Sequence, residues 1–195
     1  MTRVLLLKHA QSTWNADGRW QGWHDAPLSA AGRREAREAA RWLRDRDWSR
    51  TISSDLTRAR QTADIISSEL GIEPPAIEPR LREYDVGDWL GLRREDIEAR
   101  WPGDLAAWRD GKLSRVPGGE RWESFSNRVR SALEDILSSE MAPILVLTHG
   151  GVIEAATAVA GADQRRLAPL AGRWFYVSAG KLLAAETADL LAARS

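Results

Sequence analysis

Residues 4–15 read VLLLKHAQSTWN. The four consecutive apolar residues Val4-Leu5-Leu6-Leu7 fit a strand buried on both faces of a parallel sheet, because a solvated face would put a polar residue at every second position. The run stops at Lys8-His9, so a cation and an imidazole stand at the strand's carboxyl end, where open α/β sheets bind their ligands. With Gln11, Ser12 and Asn15 following, His9 has the surroundings of a nucleophile that faces an anion. A lone histidine at a strand end is more often a capped or surface residue. Three further stretches give this one its weight.

The same pattern returns at Ile144-Leu145-Val146-Leu147, which ends in Thr148-His149-Gly150-Gly151 and leads into a helix expected over 151–160. His149 then stands at a helix N-terminus, where the dipole favours an anionic partner, and Gly150 and Gly151 allow a close backbone approach. Residues 50–63, RTISSDLTRARQTA, predict a short strand at 50–53. A helix follows to about Leu70, with Ser54 or Asp55 as its cap and Gly71 as its C′ residue. Arg58 and Arg60 fall in the first turns of that helix, where the dipole disfavours cations; an anion nearby accounts for them, and solvent exposure is the other reading. Residues 81–91, LREYDVGDWLG, follow a strand expected at 76–80 and carry Glu83 and Asp85 on a turn-rich loop. A carboxyl group in a cleft can act as a general acid, although a single acidic loop residue is usually on the surface.

The intervening segments read as scaffold. Residues 14–27 predict a loop punctuated by Gly18, Gly22 and Pro27. Its Asn15, Arg19 and Gln21 can reach a ligand beside His9, and its Trp20 and Trp23 either wall the pocket or pin the loop to the body. Ser29 caps a helix over 30–46 whose Ala36, Ala39, Ala40 and Leu43 recur at helical spacing. Residues 93–112 predict one or two helices broken at Pro102-Gly103, and 90–118, the least regular part, is a candidate lid or subdomain within one domain, 1–195. Glu120 opens a helix to about Ser138; Trp122, Phe125, Val129, Leu133 and Ile136 line one face, which reads as a pure packing element. Strands at 173–178 and 181–187 close the chain.

Composition bounds the function. A length of 195 residues is one domain, or one with a subdomain, and a hydrophobic fraction of 43% supplies its core. A net charge of +0 gives no nucleic-acid footprint. No run resembles a signal peptide or a membrane span, so a cytoplasmic chain without membrane contact is expected. There is no cysteine, which excludes disulfide and thiol chemistry, and the three histidines, at 9, 24 and 149, show no zinc-ligand spacing. No metal site is expected, and a homodimer is compatible with the sequence.

Taken in order, these motifs resemble the histidine phosphatase superfamily, the phosphoglycerate mutase-like fold, from about residue 3 to residue 178. The family's opening Arg-His-Gly-x-Thr-x-x-Asn stands here as Lys8-His9-Ala10-Gln11-Ser12-Thr13-Trp14-Asn15. Its second motif is Ser54-Asp55-Leu56-Thr57-Arg58-Ala59-Arg60-Gln61-Thr62-Ala63, its acid motif Leu81-Arg82-Glu83, and its Pro-Gly-Gly-Glu turn lies at 117–120. Its last motif is Thr148-His149-Gly150-Gly151-Val152-Ile153. The resemblance implies a three-layer α/β/α fold on a mostly parallel sheet with a small helical lid region. It implies a metal-independent phosphatase, without a cofactor, acting on a small phosphorylated metabolite through a phosphohistidine. His9 would be the nucleophile; Arg58, His149 and Lys8 would surround the phosphoryl oxygens; Glu83 would be general acid and then base. Ser12, Asn15, Gln21 and Gly150 would contact the substrate. A mutase that returns the phosphoryl group to a second hydroxyl is the first alternative, and a binding protein that has lost turnover is the second. Two positions depart from the family: Lys8 replaces an arginine and so loses its planar fork, and Ala10 replaces a glycine.

Overall fold

The opening apolar run forms strand β1 (Arg3–Lys8), with Val4, Leu5, Leu6 and Leu7 all buried in the computed structural model, which describes residues 3–138, 143–163, 167–179 and 181–190. Burial on both faces has a direct cause. Val4 and Leu6 enter one apolar cluster, and Leu5 and Leu7 enter the other. Alternate side chains of a strand point to opposite faces, so a strand with a core on each side has no position for a polar residue.

The sheet also contains β2 (Arg50–Ser53), β3 (Ala76–Ile77), β4 (Ile144–Thr148), β5 (Ala171–Ser178) and β6 (Lys181–Asp189). Their spatial order is β3-β2-β4-β1-β5-β6. The first four run parallel, and β5 and β6 are antiparallel additions at one edge. On one face lie α2 (Ala30–Leu43) and α3 (Thr57–Leu70); on the other lie α6 (Trp122–Ser138) and α7 (Gly150–Val159). This is the expected three-layer arrangement. Among the described residues no helix is long and apolar enough to cross a membrane.

Several boundaries differ from expectation for physical reasons. The strand expected at 76–80 is only Ala76–Ile77, because Pro79 cannot donate to a ladder; a 3₁₀ turn, Pro79–Leu81, begins instead, capped by the Glu78 carboxylate on Arg80 N. The helix expected to reach residue 46 stops at Leu43, after which Arg44-Asp45-Arg46-Asp47 offers no apolar residue to bury. The loop at 14–27 starts with one helical turn, α1 (Thr13–Ala16), capped by Ser12. The helix expected from Glu120 starts at Trp122, and Glu120 is free for another task.

Residues 90–118 carry α4 (Arg94–Arg100) and α5 (Asp104–Arg109), separated at Gly103. Ile97, Leu105 and Val116 are buried in the apolar cluster that holds Phe125 and Val129 of α6. Gly87, at φ +48°, lies against the 117–119 turn, where a Cβ would come within 2.3 Å of backbone atoms. Only glycine permits that approach, and it joins the loop after Glu83 to the turn that carries Glu120.

Candidate active site

Strand order brings the two histidines together. β1 and β4 are neighbours in parallel register, with Lys8 opposite Thr148, and His9 N donates to Thr148 O at 2.9 Å. Both strands therefore end at one level, and the imidazoles of His9 and His149 meet edge to face with centroids 5.3 Å apart. β2 flanks β4 on the other side, and Ser54 N donates to Leu147 O at 3.0 Å, so the turn leading to Arg58 reaches the same end. Thr148 Oγ1 donates to Leu81 O at 2.9 Å and ties in the segment that carries Glu83.

The His9 ring is oriented by its own backbone. Nδ1 donates to Ala10 O at 2.7 Å, since a carbonyl can only accept. Nε2 is thereby left with its lone pair, and Arg58 Nε donates to it at 3.2 Å. Ala10 N donates to Thr62 Oγ1, which in turn donates to Arg58 O, so α3 holds the peptide after His9 as well as the guanidinium that faces it.

Arg58 is 1% exposed, and its other nitrogens donate to His24 O and Gly22 O, each at 2.8 Å. Burial lowers it to about 10, partly offset by the Glu83 and Asp25 carboxylates, so it stays charged at neutral pH. Arg60, the other candidate in this motif, is exposed. Neither Ser54 nor Asp55 caps α3. Leu56 occupies the cap position, and Asp25, far back in sequence, accepts from Thr57 N and Thr57 Oγ1 at 2.6 and 2.7 Å. Partial desolvation pushes the Asp25 carboxyl up, but the two Thr57 hydrogen bonds with Arg58 and Arg60 nearby outweigh it and hold it below its ordinary value. Asp55 instead takes Arg82, and Ser54 Oγ lies 2.9 Å from His149 Nε2.

His149 is fully buried, and its Nδ1 has no hydrogen-bond partner among the described residues. Glu83 accepts from Tyr84 N at 2.9 Å and from Gly151 N, in the first turn of α7, at 3.4 Å. A Cβ on Gly151 would sit 2.3 Å from Glu83 Oε1, so the second glycine of the motif makes room for the carboxylate. Lys8 Nζ donates to Leu167 O at 2.9 Å and lies beside Gly150. A cleft of about 430 Å³ runs past Lys8, Gln11 and Asn15 to Leu167, Ala168 and Pro169.

Lys8, His9, Arg58, Glu83, His149 and Gly150 thus converge at one end of the sheet. Ser12, Asn15 and Gln21 stand beside them with much of their polar capacity spent on the fold. Ser12 Oγ accepts from Asn15 N and donates to Gln21 Oε1 at 2.6 Å, while Asn15 Oδ1 accepts from Ser12 N. Trp20 packs edge-on against Trp89, and Trp23 Nε1 donates to Glu83 O at 2.7 Å, so both tryptophans pin the loop. Arg128, which the sequence did not single out, pairs with Glu120 of the 117–120 turn; its only sequence signal is its place beside the apolar stripe of α6.

Burial holds both His9 and His149 well below 6.5, with the charge on Arg58 adding to the effect in each case. Both are therefore neutral in the folded chain near pH 6, whereas unfolded histidines take up protons below about pH 6.5. The unfolded state binds more protons, so stability falls as pH drops below 6.5. As pH falls from about 7.5 to 5.5 the two histidines together are expected to lower stability, read as a fall in denaturant midpoints. A His9→Asn/His149→Asn protein should lose that part of the slope; an unchanged slope would show that neither ring is buried neutral.

Residues 4–171 match the model of the histidine phosphatase superfamily, branch 1. A glucosyl-3-phosphoglycerate phosphatase of Mycolicibacterium vanbaalenii is 35% identical over 164 residues, 80% of this chain and 72% of that protein. A 2,3-bisphosphoglycerate-dependent phosphoglycerate mutase of Methylobacterium radiotolerans is 38% identical over 165 residues, 80% of this chain and 77% of the relative. The solved structure of a mycobacterial glucosyl-3-phosphoglycerate phosphatase complexed with VO3 superposes with a TM-score of 0.86 at 29% identity, covering 94% of this chain and 96% of that one. On the family match and these relatives, the chain belongs to the histidine phosphatase superfamily, branch 1.

Proposed function

We propose that this chain is a phosphatase that hydrolyses a small phosphorylated metabolite through a phosphohistidine on His9, with no metal taking part. One observation carries the reading: His9 Nδ1 is committed to Ala10 O, which leaves the lone pair of a buried, neutral Nε2 beside the Arg58 guanidinium. A neutral imidazole with its proton on the far nitrogen is a competent nucleophile, and a fixed cation beside it draws the phosphoryl group in.

In the first step His9 Nε2 forms a bond to phosphorus as the bond to the leaving oxygen breaks, and Glu83 gives that oxygen its proton. In the second step Glu83 takes a proton from water, whose oxygen attacks phosphorus; the N–P bond breaks, and inorganic phosphate leaves with His9 restored. Arg58 and Lys8 supply positive charge to the phosphoryl oxygens, and the unpartnered Nδ1 of buried His149 suits a hydrogen bond from a protonated phosphoryl oxygen, or to an oxygen once it carries a proton itself. The amides of Tyr84 and of Gly151, the latter in the first turn of α7, hold the Glu83 carboxylate.

The relatives' names set the first substrates to try: glucosyl-3-phosphoglycerate, phosphoglycerates and other small phosphomonoesters. Phosphate release from at least one of these is expected, unchanged in millimolar EDTA because side chains supply the charge. EDTA inhibition reversed by a divalent ion would contradict the mechanism. The similarity to a phosphoglycerate mutase supports the second reading, transfer to another hydroxyl; capture of most of the phosphoryl group by a substrate hydroxyl in place of water would favour it.

A further inference from the structure

The α6 helix, expected only to pack, reaches into the chemistry through Arg128. All five N–H groups of its guanidinium donate. Nη1 donates to Arg80 O and Arg82 O, each at 2.7 Å; Nη2 donates to Glu83 O and to Glu120 Oε2, each at 2.9 Å; Nε donates to Glu120 Oε1 at 2.8 Å. One planar group therefore clamps three carbonyls of the irregular segment that delivers Glu83. No strand or helix could satisfy these carbonyls together, because the segment leaves the sheet at β3 and turns back through Pro79–Leu81.

Glu120 fixes the clamp from the other side. Its carboxylate takes Arg128 as a two-oxygen fork, and the pair is well shielded, with side chains 19% and 15% exposed. Its backbone is sewn to the same loop: Glu120 N donates to Asp85 O at 3.1 Å, and Tyr84 OH donates to Glu120 O. The carbonyls of 80, 82 and 83 are thus fixed from α6, and the amides of Tyr84 and Gly151 then set where the Glu83 carboxylate lies.

We infer that Arg128, held by Glu120, is a positioning residue for the acid–base steps, placing the Glu83 carboxylate against the leaving oxygen and then against water. The inference rests on the reading of Glu83 as the proton donor and acceptor. A planar fork with five donors does this, and a lysine cannot, since a point charge with three donors cannot span three carbonyls and a carboxylate.

The test compares Arg128→Lys, Glu120→Gln and, as reference, Glu83→Gln by single-turnover release of the leaving group from a series of aryl and alkyl phosphates. If Arg128 positions the acid, Arg128→Lys loses about 10–100-fold on alkyl phosphates and much less on p-nitrophenyl phosphate, with KM little changed, so the plot of log rate against leaving-group pKa steepens. Glu120→Gln shifts in the same direction by less, and it carries the test if Arg128→Lys does not fold. A parallel loss on every substrate, or none, in a folded variant overturns the positioning role while Glu83→Gln still steepens the plot. A flat plot for Glu83→Gln itself overturns the acid–base reading, and the inference falls with it.

Discussion

A His9→Asn protein is expected to lose phosphate release by on the order of 10⁴-fold or more and to form no phosphoenzyme. Wild type, quenched during turnover, should carry an acid-labile phosphoryl group that intact mass detects and peptide mapping places on His9. Asparagine is chosen because it is polar and of similar size, so the two contacts of the imidazole, to Ala10 O and from Arg58 Nε, can in part be kept. An alanine would leave the buried Arg58 Nε without an acceptor, at a cost of about 1–3 kcal/mol, and would confuse lost chemistry with lost structure. Wild-type turnover in a folded His9→Asn protein would end the assignment. The acid side of the pH–rate profile offers a further check. Since burial and Arg58 keep His9 neutral well below 6.5, protonation of the nucleophile should not limit the rate near pH 6. Loss of activity with an apparent pKa near 6.5 would show a solvated His9 instead.

Glu83→Gln carries the second large effect, a loss of about 10²–10⁴-fold on alkyl phosphates, whose leaving oxygens need a proton. Aryl phosphates depart more readily as anions, so their first step should suffer less. Their second step still needs a base for water, so the phosphohistidine should accumulate in the variant. A burst of leaving group followed by slow turnover is the expected record. Glutamine keeps the shape, and its carbonyl can still accept from Tyr84 N. Equal and negligible effects on both substrate types would move the role elsewhere, with Asp85 the neighbouring carboxylate to try first.

The fold class and most of the groups gathered at the candidate site are legible along the chain. Val4-Leu5-Leu6-Leu7 and Ile144-Leu145-Val146-Leu147 each say that a strand is buried on both faces, and each ends in a histidine. Gly71 in the left-handed conformation ends α3 where expected. The cap of α3 is not legible, because Asp25 reaches it from a distant loop, whereas the rule for caps searches the adjacent residues. The hydroxyl of Ser12, read in the sequence as a ligand contact, is spent on capping Asn15 N and on Gln21 Oε1.

Periodicity, caps and breakers act over a few residues, so the main strands and helices, and the chemical groups at their ends, can be read along the chain. Tertiary structure alone decided that β1 and β4 are neighbours with Lys8 opposite Thr148, which sets the two histidines side by side. It alone decided that Arg58 turns inward and Arg60 outward, and that Arg128 leaves the packing face of α6 to hold the segment carrying Glu83. Those outcomes depend on which buried carbonyls and carboxylates remain unsatisfied once the layers are packed. A buried polar group takes whatever partner the packing brings within reach, however far away that partner lies along the chain.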